Sequence, residues 1–258
     1  MNFSALGLWF SYFLRCKGPN RIHSPFIYDL YFHHILERRP YYAFVGLRKL
    51  RAQLLADERV LEGNDWGAGE FRTRKVSHIA ARALQPEREA ELLFRLVLFF
   101  RPKTIIELGS SLGLTTLYLH NARPSATLHT FEGHSGTAQF ARRLFEQNGA
   151  AEIMLHEGPF AETLPELLFG GLKPDWVLLD GDHRYGPLLQ YMNMLKPHLT
   201  ENSVVVVDDI RWSSGMWKAW KQLCDDPFWE LKLDIGKMGI LIRRKAQTPQ
   251  HFILRYPN

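Results

Sequence analysis

The sequence predicts an α/β protein. The fold expected is a doubly wound, mostly parallel sheet finished by an antiparallel strand pair, with a helical extension before it. Three observations predict it. From Lys103 onward, short apolar runs rich in β-branched residues alternate with longer helical stretches, the rhythm of parallel strands joined by crossover helices. The first run ends in a glycine turn that opens a helix, at Glu107-Leu108-Gly109-Ser110-Ser111-Leu112-Gly113. Two later runs end in acidic residues, Asp180-Gly181-Asp182 and Asp208-Asp209, at strand ends where open sheets hold their ligands.

The elements follow in order. Residues 1–85 read as a helical and irregular extension, a cap or a dimerisation element, and residues 86–258 as the ligand-binding domain. Residues 3–14 carry an apolar stripe. Ser24-Pro25 offers an N-cap followed by proline at the first helical position, predicting a helix to about residue 37 that Arg38-Arg39-Pro40 stops. A third helix is expected over 42–56 and a fourth over 86–100. Between them, residues 65–70 (Asp-Trp-Gly-Ala-Gly-Glu) imitate a nucleotide turn. No buried strand precedes them and no good helix start follows, so they read as a structural or substrate-side loop. Strands are then expected over 104–108, 126–131, 152–156, 175–179 and 203–207, and helices over 114–122, 135–148, 160–169 and 184–198. One more helix over 214–224 leads to two apolar runs, 229–235 and 238–243, that read as the antiparallel pair.

Composition narrows the function classes. With 46% hydrophobic and 23% charged residues in 258, the chain has the makeup of an ordinary globular protein. Two cysteines, Cys16 and Cys224, are too few for a disulfide framework and fit a reducing cytosol. No apolar run is long enough for a membrane span, and residues 3–14 lack the flanks of a signal peptide. Residues 1–103 hold 17 Lys/Arg against 10 Asp/Glu, the remainder 15 against 17. That basic front half contains no zinc spacing, RNA-binding aromatic motif or long basic run, so nucleic acid is not the expected partner.

The glycine turn indicates the cofactor. A dinucleotide fingerprint reads G-x-G-x-x-G. Here an acid, Glu107, stands two residues before Gly109, and three residues separate Gly109 from Gly113. A carboxylate at the mouth of the turn repels a pyrophosphate and welcomes a cationic amino-acid group. A second acid, Glu132, ends the next apolar run, where it can accept both hydroxyls of a ribose. Acid, glycine turn and second acid suit S-adenosylmethionine better than NAD. Farther on, adjacent strands would bring Asp180, Asp208 and Asp209 together. Such convergence requires a cation, a shared proton or a basic side chain, and the oxygen donors suit Mg²⁺. His183 sits in the same acid-lined mouth, while Asp182 reads as a residue holding its own turn.

In register, ELGSSLGLTT, FEGH, EGPFAETLPEL, LLDGDHRY and VVDDIRW resemble class I S-adenosylmethionine-dependent methyltransferases. The branch is the one containing catechol and caffeoyl-CoA O-methyltransferases and their uncharacterised bacterial relatives. The resemblance covers about residues 86–243 and implies a Rossmann-like sheet. It implies that Glu107, Gly109, Ser110 and Gly113 hold the methionine part, that Glu132 takes the ribose, and that Gly158, Pro159 and Phe160 flank the adenine. Asp180 falls where the family's first metal-binding aspartate lies, beside the cofactor, and His183 falls at the position of the catalytic lysine. Two departures stand out: Asp208-Asp209 replaces the Asp-Asn of metal-dependent members, and histidine replaces lysine. Ile22-His23-Ser24-Pro25-Phe26 resembles a recurrent opening of bacterial relatives of unknown substrate.

The expectation is therefore a cytosolic methyltransferase that uses S-adenosylmethionine, with Mg²⁺ as an optional second cofactor, on a hydroxyl of a small-molecule acceptor. His183 or Asp180 would be the catalytic group, and Asp180, Asp208 and Asp209 the metal ligands. The aromatic front segment would roof the acceptor pocket or form a homodimer contact. RNA or protein methylation, and a non-catalytic cofactor-binding subunit, are the alternatives.

Overall fold

Helix and strand alternate along the chain much as the hydrophobic pattern requires. The computed structural model describes residues 3–16, 18, 22–66 and 69–256. Its N-terminal part holds helices α1 (Phe3–Arg15), α2 (Pro25–Leu30) and α3 (Tyr42–Leu55), then strands β1 (Val60–Asp65) and β2 (Glu70–Lys75), then α4 (Val76–Ala83) and α5 (Glu87–Phe100). The alternating part runs β3 (Thr104–Leu108), α6 (Leu114–Ala122), β4 (Thr127–Glu132), α7 (Ser135–Gln147), β5 (Met154–Glu157), α8 (Phe160–Phe169), β6 (Trp176–Leu179), α9 (Tyr185–Leu195) and β7 (Val204–Val207). Helix α10 (Ser214–Asp225) and strands β8 (Leu231–Asp234), β9 (Gly239–Ile242) and β10 (Gln250–Ile253) complete the chain. The expected class holds: an α/β sheet of mixed parallel and antiparallel strands, preceded by a helical extension.

Two compact units emerge, residues 37–166 and residues 1–36 with 167–258. In the first, β3, β4 and β5 pair in parallel, with Glu107 opposite Thr130 and Glu132 opposite Glu157. Helices α3, α5 and α6 share an aromatic core, where the Phe44 ring lies 4.9 Å from Phe94 and 5.8 Å from Tyr118. Glu87 and Glu89 in the first turn of α5 meet the positive end of its dipole.

In the second unit the strand order is β10-β8-β9-β7-β6. Strand β9 pairs antiparallel with both β7 and β8, and β10 adds parallel to β8. The expected antiparallel pair is thus present, but it does not finish the sheet. Strand β10, Gln-His-Phe-Ile, went unread because a short polar edge strand shows no alternation. Helix α1 belongs to this unit. Its buried Tyr12 donates its hydroxyl to Leu254 O at 2.7 Å and accepts from Tyr256 N at 2.9 Å.

Two expectations need correction. The helix expected to about residue 37 starts as foreseen, with the Ser24 hydroxyl accepting from Ile27 N at 3.4 Å, but remains α-helical only through Leu30. Over Tyr31–Ile35 the turn widens to a π-helical one, and the buried Tyr31 hydroxyl donates to Arg255 O at 2.6 Å. Asp65 and Glu70, the ends of the stretch expected to be a loop, pair with each other in an antiparallel hairpin that runs from Val60↔Lys75 to Asp65↔Glu70. Most of its positions are exposed or half-buried, so no hydrophobic period marks it. Gly67 and Ala68 of the imitation nucleotide turn lie outside the described residues.

Candidate active site

The turn after β3 is built from unusual backbone. Gly109, Ser111 and Gly113 adopt positive φ values of 104°, 48° and 88°. At Gly113 a Cβ would fall 2.6 Å from Phe145 Cε1, so conformation and space both require glycine. Gly109 N and Ser110 N donate to Phe131 O at 3.0 and 2.9 Å, which ties the turn to the end of β4. Helix α6 begins at the next residue, so its N-terminal amides face the same turn.

Glu107 stands beneath this turn, fully buried. Its Oε2 accepts from Thr116 Oγ1 at 2.5 Å and from Thr130 Oγ1 at 2.6 Å, whereas Oε1 has no hydrogen-bond partner. Burial pushes its carboxyl up to about 7, against the pull of the two threonine bonds. The buried Ser110 Oγ likewise has no partner. Both atoms lie beside the turn, Glu107 Oε1 at the end of β3 and Ser110 Oγ within the turn itself.

Glu132, at the end of β4, is held by backbone amides. Ser111 N donates to Oε2 at 2.9 Å and His134 N to Oε1 at 2.8 Å. Burial pushes this carboxyl up, while those two bonds and the positive Arg74 pull it down. Each oxygen still has a lone pair for a hydroxyl. Gly158, with φ at 135°, donates its N–H to Glu132 O at 3.1 Å. The Pro159 carbonyl accepts from Glu162 N and Thr163 N, both at 3.0 Å, and so starts α8, whose first residue Phe160 lies edge-on to Phe131 at 6.3 Å. Glu107, Gly109, Ser110, Gly113, Glu132 and Gly158 therefore gather at the carboxyl ends of β3, β4 and β5. The hairpin borders them: Trp66 N donates to Gly133 O at 2.8 Å, and a His134 ring nitrogen lies 3.2 Å from Arg72 O.

A second cluster lies within the other unit. The register Leu179↔Val207 places Asp180 and Asp208 after neighbouring strands β6 and β7, and Asp208 N donates to Leu179 O at 3.0 Å. His183 Nε2 lies 3.8 Å from both Asp180 Oδ1 and Asp209 Oδ2. Its ring is 6.1 Å from Trp212. Asp209 takes a left-handed φ of 52°; burial and Asp208 push its carboxyl up, and Lys237 and His183 pull it down. Asp182 pairs with Arg184 at 2.7 Å, in keeping with a turn-holding role. The cation that meets the acids is Lys237, from the turn between β8 and β9, with Nζ 2.6 Å from Asp208 Oδ2 and 3.5 Å from Asp209 Oδ1. Among the described residues no group of three His, Cys, Asp or Glu side chains is disposed to hold a metal ion. The residues at Asp180, Asp208 and Asp209 thus fit a lysine ammonium better than a bridging Mg²⁺.

Comparison with known proteins shows what the span holding the first site is similar to. Residues 106–210 match the family model of the methyltransferase domain, a span containing the glycine turn, Glu132 and all three aspartates. That span is similar to a methyltransferase domain. The chain's fold is that of the O-methyltransferase-like branch. The O-methyltransferase TomG of Streptomyces achromogenes, solved with S-adenosylmethionine, is 18% identical with a TM-score of 0.60, over 84% of this chain and 95% of that one. A Bacillus cereus O-methyltransferase solved with S-adenosylhomocysteine is 15% identical with a TM-score of 0.57, over 84% and 96%. The methyltransferase PaMTH1 of Podospora anserina is 18% identical with a TM-score of 0.57, over 81% and 99%. No curated protein sequence matches significantly.

Sequence reasoning missed the groups that support the two clusters. Thr116 and Thr130 stand nine and 23 residues from the glutamate they hold. The signal was there for Thr130, a polar residue inside a buried strand. Lys237 carried a fainter one, a single basic residue between the apolar runs Ile235-Gly236 and Met238-Gly239-Ile240. Among the described residues, no helix is long and apolar enough to cross a membrane.

Proposed function

We propose that the chain transfers a methyl group from S-adenosylmethionine to a hydroxyl of a small-molecule acceptor. The observation that carries the reading is the pair of unsatisfied buried atoms, Glu107 Oε1 and Ser110 Oγ, beneath a turn opened by left-handed backbone. Glu107 would take the ammonium of the methionine part and Ser110 its carboxylate. Glu132 would accept the ribose hydroxyls with its remaining lone pairs, while Gly158, Pro159 and Phe160 would flank the adenine. S-adenosylmethionine, when bound, supplies a methyl group already attached to a sulfonium leaving group. The protein's remaining tasks are to orient the acceptor, remove its proton and exclude water.

His183 is the group suited to the proton. An imidazole 3.8 Å from two carboxylates gains favourable company once it becomes imidazolium. Asp180 and Asp209 would hold that charge, and no step runs through a metal. Trp9 and Tyr12 of α1 flank the turn carrying Lys237 and would border the acceptor. Leu6, Phe10, Phe13 and Leu14 expose the opposite stripe of that helix, the surface a homodimer contact would use.

Calorimetry with S-adenosylhomocysteine and NAD tests the cofactor, and labelled methyl transfer to a panel of hydroxylated small molecules tests the acceptor. His183→Ala should bind S-adenosylhomocysteine normally and lose about 100- to 10,000-fold in kcat. Binding of NAD without S-adenosylhomocysteine, or transfer to RNA alone, would end the reading.

A further inference from the structure

We propose that Lys237 is a built-in cation for the Asp180, Asp208 and Asp209 cluster and stands in the place a divalent ion would otherwise take. The inference rests on the side chains of one compact unit. Three carboxylates at neighbouring strand ends repel each other until a positive charge enters. Here the positive charge comes from the chain itself, with Nζ 2.6 Å from Asp208 Oδ2 and 3.5 Å from Asp209 Oδ1. Magnesium demands near-octahedral oxygen ligands at about 2.0–2.1 Å. An ammonium lodged between Asp208 and Asp209 occupies the volume those ligands would share.

The backbone that presents this lysine is fixed on both sides. Lys237 O accepts from Ile210 N at 3.0 Å, and Ile235 N donates to Met238 O at 3.0 Å, closing the turn. One residue earlier, Gly236 O accepts from Arg211 Nη1 at 2.5 Å. Arg211 follows Asp208-Asp209 by two residues, so the segment that supplies two of the acids also grips the turn that supplies the cation. Lys237 is thus a positioning residue: it gathers the carboxylates that face His183 without itself touching the reacting atoms.

Manganese binding tests this without any methyl acceptor, so its outcome is separate from that of the proposed transfer reaction. The full chain is titrated with Mn²⁺ by paramagnetic resonance and with Tb³⁺ by luminescence sensitised through Trp212. Wild type and Lys237→Arg should show no site tighter than nonspecific surface binding. Lys237→Met should gain at least about tenfold in Mn²⁺ affinity by freeing the carboxylates, and adding Asp208→Asn should remove the gain. Lys237→Gln, which keeps a polar amide in the turn, serves if the methionine variant does not fold. Stoichiometric Mn²⁺ binding by wild type that Asp208→Asn abolishes would overturn the proposal. So would a folded Lys237→Met or Lys237→Gln variant with no gain.

Discussion

Arg211 and Asp234 form a two-pronged ion pair that is almost wholly buried, with Nη1 to Oδ1 at 2.7 Å and Nη2 to Oδ2 at 2.5 Å. Asp234 Oδ1 also accepts from Gly236 N at 3.1 Å, so the pair fastens the segment after β7 to the turn after β8. The guanidinium is sandwiched by Tyr12 and Trp217, each ring centroid 4.7 Å from its carbon. Removing one partner leaves a buried charge without compensation. Arg211→Met should therefore cost about 3–5 kcal/mol in urea unfolding, and Arg211→Met with Asp234→Leu should recover a large part. A loss below about 1 kcal/mol in the single variant would mean that water reaches the pair.

Glu107 makes stability depend on pH. Its carboxyl ordinarily titrates near 4.5 and in the fold near 7, so between those values the folded state holds a proton that the unfolded chain has released. The contribution is full below about 4.5, is lost as pH rises to about 7, and stays absent above it. The shift corresponds to about 3 kcal/mol. Urea midpoints of wild type should fall across this window relative to Glu107→Gln, which carries no such slope. A cofactor ammonium at Oε1 would favour the carboxylate. Binding of S-adenosylhomocysteine near pH 6 should then release a proton, read from calorimetry in buffers of different ionisation enthalpy.

Glu132→Ala should weaken S-adenosylhomocysteine by roughly 1–3 kcal/mol, the worth of a charge-assisted pair of hydrogen bonds. The variant also strips Ser111 N and His134 N of their acceptor, so binding and unfolding are measured together. Undiminished affinity would remove Glu132 from the ribose.

Gly113→Ala tests the turn. It combines a φ of 88° with a methyl 2.6 Å from Phe145 Cε1, and should destabilise the fold by about 2 kcal/mol or more. Phe145→Leu in the same chain should return only the steric part, because the backbone strain stays.

Phe10→Glu tests the exposed stripe of α1, where Phe10 and Leu14 are 67% and 72% exposed. If that face joins two copies, light scattering should show a dimer in wild type and a monomer in the variant. A wild-type monomer at high concentration would leave the face without that role.

Much of the fold could be read from the sequence because its strands are buried on both faces. Continuous runs such as Trp176–Leu179 and Val204–Val207 announce themselves, and the glycines of the turn after β3 are demanded by local backbone geometry. Glu107, Glu132 and the aspartates were legible for the same reason: charged residues at the ends of apolar runs. The sequence by itself thus determined the α/β class, the strand order in the chain, and which carboxylates could meet a ligand. Only the tertiary structure decided what meets them. Thr116 reaches Glu107 from α6 and Thr130 from the neighbouring strand β4, Arg211 after β7 reaches Asp234 at the end of β8, and Lys237 reaches Asp208 from the turn between β8 and β9. The hairpin at 60–75 and the edge strand at 250–253 were decided there too. Both lie where one-sided or absent burial erases the hydrophobic period, so their pairing partners and not their side-chain pattern fix them.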